Sequence, residues 1–353
     1  MNKQDARKTP QDGPWIGADV CKKTFDAALV RAGQKYPATP LANVPVQSFA
    51  RTPSGVNDFL QWMDALVGSD DAAPRVVMEA TGRYSQELAV WMLEQRPTLA
   101  PAIAAPHQTA AFITSLGLRN KTDKMEARAL AFYGMERQPA PYVPLTPHEA
   151  ELQDLCRCRD FLVRQRVALA NRAAETHASK TVQALERKRL RLLEADIERL
   201  EQAMRRVLDE APELQRDVEA LSTIYGVGFI TATTVRAELG DLRRFSKARQ
   251  LTAFAGLNPS LRQSGSSIHG RPRMSKKGNP RVRQCLYLAA MVAIQGHNDL
   301  QCCYLRLREE GLSGMAALGA VMRKLLVLMR AILISGKPYD PLWKTRTHRS
   351  QSA

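Results

Sequence analysis

Apolar and polar positions alternate with two different periods along this chain, and the change of period divides it. WIGADV (15–20) and FDAALV (25–30) are short, apolar and partly β-branched, with the polar stretch Cys21-Lys22-Lys23-Thr24 between them, which predicts a β-hairpin. A third strand is expected at 46–50. Val56, Phe59, Leu60, Met63 and Leu66 then recur at helical spacing over 53–67. RVVMEA (75–80) reads as a buried strand, followed by a helix over 85–94. A weaker strand is expected at 99–105, where Pro101 interrupts it, and helices at 107–116 and 122–136. Strands first, then strand and helix in alternation, predict an α/β domain over 15–137 behind a polar extension at 1–14.

Four prolines in residues 138–147 mark a linker. Beyond it, 148–210 contain neither Pro nor Gly. Leu190, Leu193, Ile197, Leu200, Met204 and Val207 are spaced by threes and fours, and Leu155, Leu162 and Leu169 by sevens. This pattern predicts a coiled-coil helical hairpin over 148–211 with a bend near 176–180, serving as a rigid spacer or as a dimer contact. In 212–343, Gly226 and Gly228 separate two apolar helical segments. That turn is compatible with a helix-hairpin-helix holding a DNA phosphate and equally with plain helix packing. Helices are expected at 248–256, 283–294 and 315–335, with a basic loop at 258–279 and a disordered tail at 344–353. The fold class is therefore α/β followed by a mainly helical region.

Charge sharpens this division. Residues 1–220 carry 30 basic and 29 acidic side chains, whereas 221–353 carry 21 basic and 6 acidic. From Arg262 to Arg283 there are seven basic residues and no acid: Arg262, Arg271, Arg273, Lys276, Lys277, Arg281 and Arg283. A field concentrated in this way attracts polyanions and points to nucleic acid. No apolar run is long enough for a membrane span, and the first residues lack a secretion signal, so a cytoplasmic protein is expected. The six cysteines match no zinc module and read as free thiols.

Four acids stand out by position. Asp19 lies within an apolar strand, where a charge requires a partner or a metal. Glu79 ends another. Asp123 and Glu126 share one face of a predicted helix. Converging in this way they could hold two Mg²⁺ ions, although each taken singly also fits a cap or a salt bridge. Small residues (Ser264, Gly265, Ser266, Ser267 and Gly270) fill the basic loop, and small side chains let a ligand approach backbone closely.

The segments GADV (17–20), MEATGRY (78–84), GLRNKTDKMEARALA (117–131), AFAGLNPS (253–260) and SGSSIHGRPRMSKKGN (264–279) occur in this order. Together they resemble the insertion-sequence 110 family of transposases, the DEDD recombinases guided by a bridge RNA, over residues 15–340. The resemblance implies an RNase H-like (RuvC-like) domain, a coiled coil, and a transposase domain with a catalytic serine. Asp19, Glu79 and Asp123 match the first three metal-binding acids. The fourth position is usually Asp and is here Glu126, one methylene longer. Ser264 matches the serine nucleophile, ahead of Ser266 and Ser267. The implied activity is cut-and-rejoin DNA strand exchange through a phosphoserine link, with donor and target double-stranded DNA, a non-coding guide RNA, and a dimer to tetramer that unites acids and serine from different protomers. Association with the nucleoid follows from that role. Two other readings remain open: a metal-dependent junction endonuclease that uses water, and a nucleic-acid-binding remnant without activity, to which the Glu126 exchange is the one pointer.

Overall fold

The computed structural model describes residues 13–68, 72–118, 122–175, 179–260, 263–264, 268–269 and 273–341. The terminal extension and tail, the centre of the expected hairpin bend, and Arg262, Gly265, Ser266, Ser267, Gly270 and Arg271 lie outside the described residues. The chain divides into two compact units, residues 1–144 and 145–353.

The first unit is a five-stranded sheet covered by helices on both faces. Its strands are β1 (Trp15–Val20), β2 (Thr24–Val30), β3 (Val46–Ala50), β4 (Arg75–Glu79) and β5 (Ala102–Ala104). Their order is β3-β2-β1-β4-β5. β1 and β2 form the expected hairpin, with Trp15 opposite Val30 and Asp19 opposite Asp26, and β3 continues antiparallel. β4 and β5 run parallel to β1. β5 is shorter than its hydrophobic pattern because Pro101 cannot donate to a ladder, so pairing begins only after it.

Side chains alternate across the sheet. Ile16, Ala18 and Val20 pack with Val76 and Met78 against Val56, Phe59, Leu60 and Met63 of α1 (Pro53–Leu66) and Leu88 and Met92 of α2 (Arg83–Gln95). Trp15, Ala28, Val30 and Val77 face the other way, toward Phe112 of α3 (Pro106–Ser115) and Ala127, Ala131 and Phe132 of α4 (Asp123–Arg137). Helix α4 lies almost on the sheet backbone. A β-carbon on Gly17 would stand 2.1 Å from the Ala127 oxygen and 2.2 Å from the Ala131 nitrogen, and one on Gly134 would stand 2.4 Å from the Trp15 ring. Only glycine at these two positions permits the approach.

The second unit is helical. α5 (Pro147–Ala173) begins with a Thr146/Glu149 capping box and a proline in its first turn, and α6 (Lys180–Asp209) is capped by Ser179. The seam of α6 is half-buried at Leu190 and Leu193 and fully buried at Met204 and Val207. The base of this hairpin shares one core with the following helices, since Leu152, Cys156, Met204 and Val207 pack with Leu221, Val235, Leu286 and Leu325. The sequence separates 148–211 from 212–343, whereas the structure joins the base of the hairpin to the basic region through these contacts. α7 (Pro212–Ser222), α8 (Phe229–Leu239), α9 (Ala248–Phe254), α10 (Pro280–Ala293), α11 (Asp299–Glu309) and α12 (Gly314–Ser335) complete the unit. Gly226, at φ +86°, lies where a β-carbon would be 2.6 Å from the Ala289 oxygen of α10. Packing thus accounts for this glycine of the Gly-x-Gly turn.

Two features differ from the sequence reading. α11 was not expected, although Leu300, Cys303, Tyr304 and Leu307 recur at helical spacing; Leu300 is fully buried and the other three are half-buried. The helix starts at a cap, in which Asn298 accepts from the Leu300 and Gln301 amides. The loop expected at 258–279 contains four two-residue strands: β6 (Pro259–Ser260), β7 (Gln263–Ser264), β8 (Ile268–His269) and β9 (Arg273–Met274). β6 pairs with β9, and Ser264 of β7 pairs with Ile268 of β8. Among the described residues the segment therefore holds two short antiparallel pairs. Its Gly, Ser and Arg content hides the alternation by which strands are usually recognised.

Candidate active site

The carboxylates of the first unit gather at one end of the sheet because three local rules agree. Asp19 follows Gly17 by two residues on β1 and therefore shares the face against which α4 is laid. The β1–β4 register ends with Ala18 beside Met78, and its next step places Asp19 beside Glu79 at the C-terminal ends of two parallel strands. Thr122 caps α4 by accepting from the Met125 amide, so Asp123 is the first helical residue and stands at the positive end of the helix.

Among the described residues, the donor atoms of Asp19, Cys21 and Asp123 all lie within 4.8 Å of one another. Asp19 is half-buried, while Cys21 and Asp123 are exposed. The Cys21 thiol donates to Asp123 Oδ2 across 3.9 Å. Burial, followed by the charges of Asp123, Asp26 and Glu79, raises Asp19 from the ordinary carboxylate range to about 6. Burial, Asp19 and Asp123 likewise push the Cys21 thiol up. Such an arrangement is uphill without a cation and is satisfied by one.

Glu79 belongs to this field but not to the three-residue cluster. Its Oε2 accepts from the hydroxyl of Thr109, a fully buried residue of α3. Glu126 lies one turn into α4, half-buried, with its amide bonded to the Thr122 carbonyl. The structure thus brings Asp19 and Asp123 to shared-ion distance, places Glu79 on the adjoining strand, and leaves Glu126 outside the closest set. Two members of the site are absent from the sequence reading. Cys21 belongs to the hairpin turn, as the pattern predicts, and its sulfur also stands beside Asp19 and Asp123. Asp26 is the cross-strand partner of Asp19, and its Oδ1 accepts from the Ser48 hydroxyl. Pairing the two hairpin strands about Cys21–Thr24 would have found it.

In the second unit, the backbone of Ser264 sits in β7, paired with Ile268 across residues 265–267. Arg273, in β9, and Lys276 and Lys277, just after it, are exposed. Arg281 and Arg283 are instead engaged within the unit. Arg281 Nε lies 3.8 Å from Asp160 and 4.0 Å from Glu238, and Arg283 donates to the Ala255 carbonyl at 3.2 Å. Burial lowers the Arg283 pKa. Of the described basic residues expected to meet nucleic acid, Arg273, Lys276 and Lys277 are the exposed ones. Among the described residues, no helix is long and apolar enough to cross a membrane. All six cysteines are free thiols.

Comparison with known proteins agrees with this division. A DEDD transposase family model matches residues 16–178, and the model for the IS116/IS110/IS902 transposase family matches residues 218–304. The pilin gene-inverting protein of Moraxella bovis is 28% identical over 327 residues, covering 92% of this chain and 97% of that protein. The IS1111A transposase of Coxiella burnetii is 28% identical over 250 residues, covering 62% of this chain and 66% of that one. The carboxylate cluster falls within the first family match and α8 to α10 within the second, and the chain belongs to the IS110 family of transposases.

Proposed function

We propose that this transposase exchanges DNA strands through a covalent serine link supported by divalent cations held on an RNase H-like unit. The strand order β3-β2-β1-β4-β5, with three antiparallel strands and two parallel ones, supports the RNase H-like assignment. The observation that carries the proposal is the convergence of Asp19 and Asp123, at shared-ion distance, beside Glu79 on the next strand. Their hard oxygen donors fit Mg²⁺. When bound, a pair of such ions draws charge from the attacking and leaving oxygens of a phosphodiester. Asp19 and Asp123 are the inner donors, with Glu79 and Glu126 completing the set. Thr109, fully buried and bonded to Glu79, holds that carboxylate in place.

Ser264 supplies the nucleophile. Its oxygen forms a bond to the scissile phosphorus while one sugar oxygen leaves and takes up a proton, so the phosphodiester is conserved as a phosphoserine. Attack by a sugar hydroxyl of another strand then breaks that link and restores the serine. Arg273, Lys276 and Lys277 hold the phosphate backbone and carry no sequence information of their own. Base pairing to a guide RNA supplies the specificity, and an oligomer of two to four copies holds donor and target together.

A junction nuclease using water is the competing reading. The relative named for inverting a pilin gene favours recombination, because inversion requires every cut end to be rejoined. Trapping on nicked suicide DNA separates the two. A protein–DNA adduct forms with the unaltered chain and is lost in Ser264→Ala. Strand exchange falls by at least about a thousandfold in Ser264→Ala and in Asp19→Ala, while DNA binding persists in both. Cleavage by Ser264→Ala without an adduct would establish the nuclease instead.

A further inference from the structure

Cys21 has no part in the chemistry above, yet its sulfur lies among the atoms that would hold the cation. It follows Asp19 by two residues along the strand direction, and its amide donates to the Thr24 carbonyl to close the hairpin turn. That turn holds the thiol on the Asp19 side. Metal–ligand bonds of about 2.0–2.4 Å mean that donors sharing one ion stand no more than about 4.8 Å apart. The Asp19, Cys21 and Asp123 donor atoms satisfy this limit mutually. The thiol contact to Asp123, at 3.9 Å, is a weak one that a bound cation readily replaces.

The donor set is therefore mixed, with two hard carboxylates and one soft sulfur. Mg²⁺ gains little from sulfur, whereas Zn²⁺ and Cd²⁺ gain strongly. We infer that Cys21 is a third donor of this centre, giving it a preference for thiophilic divalent cations over Mg²⁺. The centre then takes up Zn²⁺ or Cd²⁺ in competition with the ion that supports strand exchange. The inference rests on the reading that Asp19 and Asp123 hold a cation, and it concerns which cation they favour. The other five thiols do not share this environment. Cys156 is buried, with its pKa pushed up to about 12 by that burial, and Cys158, Cys285, Cys302 and Cys303 lie elsewhere in the second unit.

The test is direct binding to the purified full-length chain. Cd²⁺ is titrated by calorimetry and by the ultraviolet thiolate-to-cadmium band, and Mg²⁺ by calorimetry, in the unaltered protein, Cys21→Ser and Asp19→Ala. The expected result is that Cys21→Ser weakens Cd²⁺ binding at least about tenfold and removes one cysteine's share of the band, while Mg²⁺ affinity changes by less than about threefold. Asp19→Ala weakens both ions. Retained Mg²⁺ binding in Cys21→Ser also shows that the variant is folded. If Cys21→Ser binds Cd²⁺ with unaltered affinity and band, the thiol is not a donor and the inference fails, even where Asp19→Ala loses Mg²⁺ as expected. If Asp19→Ala keeps full Mg²⁺ affinity, it is the carboxylate–cation reading itself that falls. In strand-exchange assays with Mg²⁺, Cd²⁺ should inhibit the unaltered chain at concentrations about tenfold lower than Cys21→Ser.

Discussion

In the first unit Asp19 stands among Asp123, Asp26 and Glu79, and the three strongest charges acting on it are all of its own sign. In the second unit carboxylates are just as close together, but they surround guanidinium groups. Arg236, 4% exposed, gives Nε to Asp217 at 2.9 Å and Nη1 to Glu149 at 2.7 Å, and Arg243 reaches the same Asp217 at 2.8 Å. Glu238 accepts from Arg157 at 2.8 and 3.1 Å and from Asn279 at 2.8 Å, tying α5 to α8 and α10. The consequences for ionisation are opposite. Burial and like charges lift Asp19 to about 6. Burial pushes Glu149 up as well, but the Thr146 amide and Arg236 outweigh it and hold Glu149 below its ordinary value. One cluster pairs its carboxylates with guanidinium groups, whereas the charges that act most on Asp19 are of its own sign, a setting that a divalent cation would suit. A clustered carboxylate therefore marks a candidate site only where its nearest charges are also negative.

The sharpest way to break this comparison is to unbalance the satisfied cluster. Arg236→Met removes a buried cation and leaves Glu149 without its guanidinium partner. Taking one partner from a buried pair costs about 3–5 kcal/mol, and the lower end applies here because Arg243 still covers Asp217. The expected outcome in denaturant melts is a loss of about 3 kcal/mol with Mg²⁺ binding unchanged. A neutral result would mean that the network contributes nothing to the fold of the second unit. A loss of Mg²⁺ affinity would mean that the two clusters are not independent.

A smaller effect, aimed at the other cluster, comes from Gly17→Ala. The added methyl meets Ala127 and Ala131 backbone atoms at near-bonding distances, so α4 must move away from β1. Overpacking of this kind costs about 1–3 kcal/mol. The comparison predicts more than lost stability, because Asp123 rides at the start of α4. Mg²⁺ affinity should fall at least about tenfold even though no carboxylate has been altered. Calorimetry on a folded Gly17→Ala chain checks this, and unchanged affinity would show that the helix does not set the spacing of the acids.

The sequence made the two units unequally legible, for a physical reason. In the first unit the period-two strands and the periodic helix α1 announce themselves, and Asp19 stands out because an acid interrupts an apolar strand. Cys21 and Asp26 were hidden because their role depends on register, which emerges only when the hairpin is closed and Asp19 is paired with Asp26. In the second unit the two long helices of the hairpin follow from their apolar spacing, yet the role of the unit's charges does not. Arg281 and Arg283 fall within a basic run that reads as nucleic-acid-binding, and only packing shows that Arg281 also lies 3.8 Å from Asp160 and 4.0 Å from Glu238 and that Arg283 donates to the Ala255 carbonyl. The strand carrying Ser264 and the one it pairs with lack the alternation of ordinary strands, since each is two residues long. What identified Ser264 was likeness to a family and not any local rule.

The mildest probe of the comparison is pH, because the two clusters respond with opposite sign. Asp19 has a folded pKa near 6, above the 3.8 of an unfolded aspartate. In the metal-free chain its ionisation is therefore easier after unfolding. The stability associated with its neutral form is fully present below pH 3.8 and is lost as pH rises through about 6. Glu149 is depressed when folded, so its contribution is present above the unfolded value of 4.5 and is lost as pH falls through its lower folded value. A divalent cation cancels the first effect and leaves the second untouched. The midpoint of thermal unfolding should consequently rise more on adding Mg²⁺ at about pH 7.5 than at about pH 5, where a proton competes for Asp19. In Asp19→Asn the larger shift at high pH should disappear, and in Glu149→Gln it should remain. A Mg²⁺-induced shift of equal size at both pH values would mean that Asp19 takes no part in holding the ion, and the contrast between the two clusters would lose its functional meaning.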